Sequence, residues 1–101
     1  MIIAAACIVL DFWGNGEIKE KKRLIENLSE KVLQNFRFQL SEVDSFEDTE
    51  RCVLGFSFCS SEIKKAQEKM KNILKFIDEH SAARVVSEDY DFQRFFDTEN
   101  E

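Results

Sequence analysis

Apolar residues fall in four runs along the chain, and the spacing within each run predicts a β-strand. Ile2–Phe12 is apolar at both odd and even positions, which is typical of a central strand covered on both faces. Phe36–Asp44 alternates between apolar and polar residues and predicts a half-buried strand. Cys52–Cys59 and Ala83–Tyr90 supply a third and a fourth strand. Gly55, inside the third run, predicts a bulge or the close approach of a neighbour.

Two stretches with helical spacing separate these runs. The first extends from about Ile18 to Asn35, and its apolar residues recur at Ile18, Ile25, Leu28 and Val32. The second ends near His80, and Ser60 and Ser61 are the predicted N-caps before it. Both stretches therefore predict amphipathic helices with one face on a common core.

The resulting order is strand, helix, strand, strand, helix, strand. Two strand–helix–strand units with right-handed crossovers predict an α+β ferredoxin-like βαββαβ sandwich, in which a four-stranded antiparallel sheet carries both helices on one face. We expect a single domain over residues 1–90 and an acidic, Phe-containing tail over residues 91–101. The first strand is apolar on the uncovered face as well, so a homodimer through the open sheet face is expected.

The first apolar run is interpreted as a buried strand rather than a signal peptide or a membrane span. No Lys or Arg precedes it, Asp11 ends it, and it is too short to cross a bilayer. Cys7, Cys52 and Cys59 all lie in strand-like runs without C-x-x-C spacing. They are interpreted as buried thiols in a reducing compartment, which predicts a cytoplasmic protein without a membrane partner.

The net charge of −6 is unevenly distributed. Residues 17–37 carry six basic and four acidic side chains, whereas residues 42–50 carry five acidic side chains and no basic one. The densest basic block contains Lys19, Lys21, Lys22 and Arg23, which are the candidates for contact with RNA phosphates or with a protein partner. The alternative, which the charge pattern alone favours, is a solvated helix face with ion pairs such as Glu17 with Lys21.

Recognisable catalytic chemistry is missing from the sequence. No Cys or His spacing suits a metal, no nucleotide-binding loop is present, and no cofactor is predicted. Glu42 and Asp44 are predicted on the same side of a strand, where they would form a carboxylate pair or, as the favoured alternative, a solvated strand end with Arg51 as ion-pair partner.

Several short segments, taken in order, resemble the YlxP-like family of small uncharacterised bacterial proteins. They are Ile18–Arg23, Glu42–Asp44, Arg51 with Val53–Gly55, and Leu74–Ile77, and the resemblance covers about residues 1–90. The family's serine before the basic block is replaced by Glu17, and its Leu-Trp hairpin pair is replaced within Ser45–Thr49. The positions that match the family's motifs are Lys19, Glu20, Lys21, Arg23, Glu42, Asp44 and Arg51.

The resemblance implies a ferredoxin-like fold and a setting, because genes of this family often neighbour those for translation initiation and ribosome maturation factors. We therefore expect a non-enzymatic binding protein that associates with ribosomal RNA or a ribosome-associated protein. The alternatives are a homodimeric structural or assembly module and, less favoured, a small acylphosphatase-like enzyme. The loop that would serve that enzyme, Phe12–Glu17, has no arginine and contains an acid that would repel phosphate.

Overall fold

The computed structural model describes residues 1–12, 18–44 and 50–96, and the element order is the predicted one. The elements are β1 (Ile2–Asp11), α1 (Ile18–Phe36), β2 (Ser41–Asp44), β3 (Arg51–Ser60), α2 (Ile63–His80) and β4 (Arg84–Arg94). The α+β ferredoxin-like fold is therefore confirmed. None of the helices in these ranges is both long and apolar enough to cross a membrane.

The sheet has the strand order β2-β3-β1-β4, and all neighbours are antiparallel. The central strand β1 pairs along its whole length with β3, from Ile2 opposite Ser60 to Asp11 opposite Arg51. Its even-numbered residues are buried and face the helices, whereas Ala5 and Cys7 are exposed on the other, open face. The predicted central position of β1 is confirmed, but the prediction that both its faces are covered is wrong, because the core lies on one side of the sheet.

The core is a single cluster between this face of the sheet and the two helices. The second helix and β1 each supply five of its buried residues, and in α2 these residues recur every three or four positions. The buried residues of α2 are Ala66, Met70, Ile73, Leu74 and Ile77. The first helix adds Leu28 and Val32, and Phe56 and Phe58 of β3 complete the layer.

The strand predicted over Phe36–Asp44 begins later than the alternation suggests, because β2 covers only Ser41–Asp44. The last residue of α1 is Phe36, and the next residue, Arg37, has φ of 66° and donates its main-chain N–H to the Leu33 carbonyl, which ends the helix. The Phe36 ring packs edge-on against Phe76 at 5.3 Å between ring centroids. The alternating aromatic residues therefore anchor a connection to the core rather than a strand.

The last strand runs further than predicted, to Arg94 instead of Tyr90. Beyond its end, the main-chain N–H of Phe95 still donates to the Met1 carbonyl at 2.8 Å. Residues 91–94, which the sequence pattern placed in the tail, therefore belong to the sheet.

The predicted serine caps of α2 are wrong. The N-cap residue is Glu62, whose side chain makes no capping hydrogen bond, and its carbonyl accepts from the Ala66 N–H. The Ser60 hydroxyl instead donates to the Glu62 carbonyl within a local turn. The predicted close approach at Gly55 is confirmed, since a Cβ at that position would lie 3.1 Å from Val43 Cγ1.

The three cysteines do not share one environment, contrary to the interpretation from the sequence. Cys52 is buried in the core, whereas Cys7 and Cys59 are exposed. Strand alternation explains the difference, because Cys52 lies opposite Leu10 on the helix-covered face and Cys7 lies opposite Gly55 on the open face.

Candidate functional site

The first turns of α1 divide their basic side chains between the surface and the core. Lys19, Lys22 and Arg23 are exposed, whereas Lys21 is buried. Successive residues of an α-helix are rotated by about 100°, so Lys19 and Arg23 lie on the side of the helix opposite Lys21. The predicted block is therefore three surface cations and one internal cation. We call Lys19, Lys22 and Arg23 the α1 basic turn.

The Lys21 side chain ends beside Glu42 of β2. Lys21 Nζ lies 3.2 Å from Glu42 Oε2, and the exposed fractions of the two side chains are 1% and 16%. Among the described residues, that oxygen has no hydrogen-bond partner of acceptable geometry, so its contact with Lys21 is an ion pair without hydrogen-bond alignment. The pair ties the first turns of α1 to β2, because burying an ammonium group is tolerable only where an opposite charge accompanies it.

Cys52 of β3 completes this internal cluster. Burial raises the pKa of the Cys52 thiol to about 12, and the nearby Glu42 carboxylate raises it further while Lys21 lowers it. A thiol in this state carries almost no thiolate near neutral pH, and the thiolate is the reactive form. The cluster is consequently a structural one, and it gives Cys52 no nucleophilic chemistry.

The Lys21–Glu42 pair was missed at the level of sequence, although a signal for it exists. Lys21 stands at the helical spacing that continues through Ile25, Leu28 and Val32, and so it lies on the buried stripe of α1. A lysine on that stripe indicates an internal partner. The density of neighbouring positive charge concealed this signal, because the whole block was interpreted as one surface feature.

Arg23 has a surface partner of its own. Its guanidinium group makes a bidentate contact with the Glu20 carboxylate, with Arg23 Nε 3.1 Å from Glu20 Oε2. The hydrogen bond from Arg23 lowers the pKa of the Glu20 carboxyl below its ordinary value. Both side chains are about half exposed, so this pair contributes little to stability and a phosphate group can compete for Arg23.

Glu42 and Asp44 do not form the predicted carboxylate pair. Glu42 lies opposite Leu54, whereas Asp44 lies opposite Val53, because the register shifts between them. A bulge of this kind places two residues of one strand against one of the other, so Glu42 faces the helices and Asp44 the open face.

The register of β1 with β3 places Arg51 opposite Asp11, at the end of β1. The predicted pair of Glu17 with Lys21 involves a residue outside the described ranges.

The first basic residues of α2 lie at the end of the helix layer opposite the α1 basic turn, whereas Lys71 and Lys75 lie further along α2, on the side toward β4. The helices begin after the ends of β1 and β3, which are antiparallel, so α2 starts beside the end of α1. Lys65 and Lys69 accordingly line the same shallow depression as Asn35 and Phe36. The α1 basic turn lies instead near the C-terminal end of α2, roughly 20 Å away along the helix. The helix layer is therefore not one continuous basic surface.

Within residues 1–12, 18–44 and 50–96, no group of three His, Cys, Asp or Glu side chains is placed to hold a metal ion. The fold and these surfaces define a ferredoxin-like α+β domain with a cationic turn at one corner. Residues 3–90 match a family described as a protein of unknown function, DUF503, and the chain belongs to that family. The comparison with curated proteins gave no match.

Proposed function

We propose that the chain is a non-enzymatic binding module and that it holds RNA through the α1 basic turn. The observation that carries the proposal is the arrangement of the block, in which Lys21 is fixed inside the protein and Lys19, Lys22 and Arg23 project outward together. The resemblance to the YlxP-like proteins, with their gene setting, supports a partner in the translation apparatus, either ribosomal RNA or a ribosome-associated protein.

The internal ion pair of Lys21 with Glu42 explains why a small patch can serve as a binding surface. Side chains that must be ordered on binding cost conformational entropy, and a helix fixed by an internal ion pair presents its cations without reorganising its backbone. The N-terminal end of α1 adds the positive end of the helix dipole to the same corner. Since the whole chain carries −6, we expect RNA contact to be confined to this corner.

The first test replaces the three cations of the α1 basic turn together, as Lys19→Gln, Lys22→Gln and Arg23→Gln. Each phosphate contact that is lost should reduce the slope of log affinity against log salt by about 0.7 for single-stranded RNA. We therefore expect weaker binding of a ribosomal RNA fragment and a flatter salt dependence, measured by fluorescence anisotropy over a salt series.

The matched control carries the same change of net charge elsewhere, as Lys31→Gln, Lys64→Gln and Lys65→Gln. All three of these lysines are exposed and lie away from the α1 basic turn. The control variant should bind the RNA as the unmodified chain does. Equal losses in the two triple variants, or no RNA binding by the unmodified chain at low salt, would remove the proposal.

The open face of the sheet supports a second candidate function, a homodimeric assembly module. Ile3, Val9 and Val53 are only partly exposed there, and Val43 lies against Gly55, so the centre of this face is apolar, whereas Asp89 and Asp91 of β4 lie at its border. Sheets pack face to face when such surfaces meet. A second copy of the chain presents the same surface, so a two-fold dimer would cover both faces at once.

The reaction rates of the three cysteine thiols provide a measurement of dimer formation. At pH 8 and low protein concentration we expect Cys7 and Cys59 to react quickly with a maleimide and Cys52 to react only on unfolding, because its thiol is buried and its pKa is about 12. If copies pack through the open face, both fast thiols should become protected together as concentration rises, while light scattering shows the mass doubling. A monomer mass with both thiols fully reactive at high concentration contradicts the dimer.

A further inference from the structure

The two edges of the sheet are unlike. The edge strand β2 has four residues and is interrupted by the register shift between Glu42 and Asp44. The edge strand β4 has eleven residues. Its register with β1 shifts once, between Val9 and Leu10 of β1, which lie opposite the start of β4. Short length, bulges and charged side chains are devices that keep an edge from pairing. Ser87–Arg94 of β4 is neither short nor bulged, and its charged side chains, Glu88, Asp89, Asp91 and Arg94, restrict pairing to strands of complementary charge.

The outward main-chain groups of this segment can be assigned from the ladder. Phe95 donates its N–H to the Met1 carbonyl, so this pair is hydrogen-bonded and the adjacent pair, Ile2 with Arg94, is not. By alternation, the N–H and C=O groups of Glu88, Tyr90, Phe92 and Arg94 point away from β1. No described strand pairs with them. The Phe92 N–H is consistent with this, since it donates to the Asp91 side chain at 2.8 Å.

A groove lies next to this edge, on the face of the sheet that carries the helices. It has a volume of about 600 Å³ and runs between α2 and β4. Met70, Leu74, Tyr90 and Phe92 form its apolar walls, and Tyr90 is 49% exposed. The polar lining of the groove consists of Gln67, Lys71, Lys75, Asp78 and Glu88, and the two lysines disfavour basic side chains on this face. A strand added to β4 would place alternate side chains over this groove, because successive side chains of a strand point to opposite faces. The groove therefore favours apolar residues at every second position.

The charges beside the edge determine which residues suit the other positions of an added strand. Asp89 and Asp91 lie opposite Cys7 and Ala5, so they project from the open face beside the edge. The residues of an added strand that face this side would meet two carboxylates, and lysine or arginine complements them. The same acids disfavour a second copy, because antiparallel pairing of two β4 strands about Asp89 would set that carboxylate against itself.

From the edge, the groove and these charges we infer that β4 is a docking site for an extended peptide segment of a protein partner, in which apolar residues alternate with basic ones. The segment adds to the sheet as a fifth strand beside β4, with its apolar side chains in the groove and its basic side chains near Asp89 and Asp91. Asp91 releases the Phe92 N–H to the incoming carbonyl. This surface is separate from the α1 basic turn, so the two can be tested independently.

The probe is a fluorescein-labelled synthetic peptide, equal in length to Ser87–Arg94, in which lysine and valine alternate. Control peptides carry the same composition with the lysines grouped at one end, or glutamate in place of lysine. We expect the alternating lysine peptide to bind more tightly than either control, and its amide chemical-shift changes to fall on residues 87–94 and the facing side of α2. Shifts confined to another surface would overturn the assignment.

The decisive pair of variants is Glu88→Pro and Glu88→Ala. Both remove the carboxylate, but only proline also removes the outward N–H, and it does so without breaking a bond to β1. The proline variant should bind the probe about threefold to tenfold more weakly than the alanine variant. Equal affinities of two folded variants would refute strand addition, and so would a dimer of the unmodified chain that Glu88→Pro dissolves.

Asp89→Lys tests the same site without disturbing the strand. It should weaken binding of the lysine peptide and strengthen binding of the glutamate peptide, whereas Glu30→Lys on α1, with the same change of charge, should do neither. The test holds even if Glu88→Pro fails to fold. Identical behaviour of Asp89→Lys and Glu30→Lys would rule out recognition of basic residues at this edge.

Discussion

Glu42→Ala is expected to lower the free energy of unfolding by about 3 kcal/mol, a large share of the stability of a domain of this size. The substitution removes the carboxylate beside a Lys21 ammonium group that is only 1% exposed. An ammonium group held in the core without that carboxylate is poorly solvated, and this is the cost that the measurement reports. Urea unfolding followed by circular dichroism provides the comparison.

The matched double variant separates charge from packing. Lys21→Met with Glu42→Leu removes both charges and keeps apolar volume, so it should recover most of the lost stability. A further control is Glu62→Ala, which breaks the exposed pair of Glu62 with Lys65 and should cost well under 1 kcal/mol. A Glu42→Ala variant as stable as Glu62→Ala would mean that the internal ion pair does not anchor α1.

Ile8→Ala is the second substitution with a large expected effect, a loss of about 3–4 kcal/mol in the free energy of unfolding. Ile8 is fully buried at the middle of β1, where it lies opposite Leu54 on one side and Glu88 on the other. Since β1 has paired neighbours on both sides, the surrounding residues have little freedom to collapse into the space left behind.

The control for this substitution is Leu33→Ala on α1. Leu33 is 42% exposed, and alanine is the better helix former, so the expected change is within about 1 kcal/mol. Thermal and denaturant unfolding should rank the two variants in the same order. If Ile8→Ala proved no more costly than Leu33→Ala, the placement of the core on the helix-covered face of β1 would be wrong.

The elements with the clearest hydrophobic pattern could be predicted from the sequence. The apolar run of β1 and the three- and four-residue spacing of α2 each dictate one structure, and both elements agree with prediction within one or two residues. The order of elements then leaves few topologies, and the ferredoxin-like arrangement follows. These features depend on local pattern and on chain connectivity alone.

The errors arose where tertiary contacts override a local pattern. Phe36 and Phe38 alternate as in a strand, but Phe36 is the last residue of α1 and the Phe38 ring stacks on Phe56. Residues 91–94 looked like the start of an acidic tail, yet their partners on β1 lie almost a whole chain away in sequence. A pairing of that separation cannot be derived from a short window of sequence.

The candidate sites were predictable only in part. The basic block that begins at Lys19 is evident as a run of charge, and the three residues of the α1 basic turn are at the surface. The direction of Lys21 follows from its helical spacing with Ile25 and Leu28. The separation of Glu42 from Asp44 depends on one bulge in β2, for which the sequence carries no glycine or other marker. The groove beside β4 requires the position of α2 across the sheet, which only the assembled fold provides.

The central place of β1 has a consequence for synthesis on the ribosome. Its two partners are β3 and β4, and the second of these is made about eighty residues after β1. A nascent chain that has emerged only as far as α2 can form three strands, but it leaves one side of β1 without a neighbour and one flank of α2 uncovered. Pairing of β1 with β4 over such a sequence separation is slow compared with helix formation. The domain therefore completes its sheet only once β4 has left the exit tunnel.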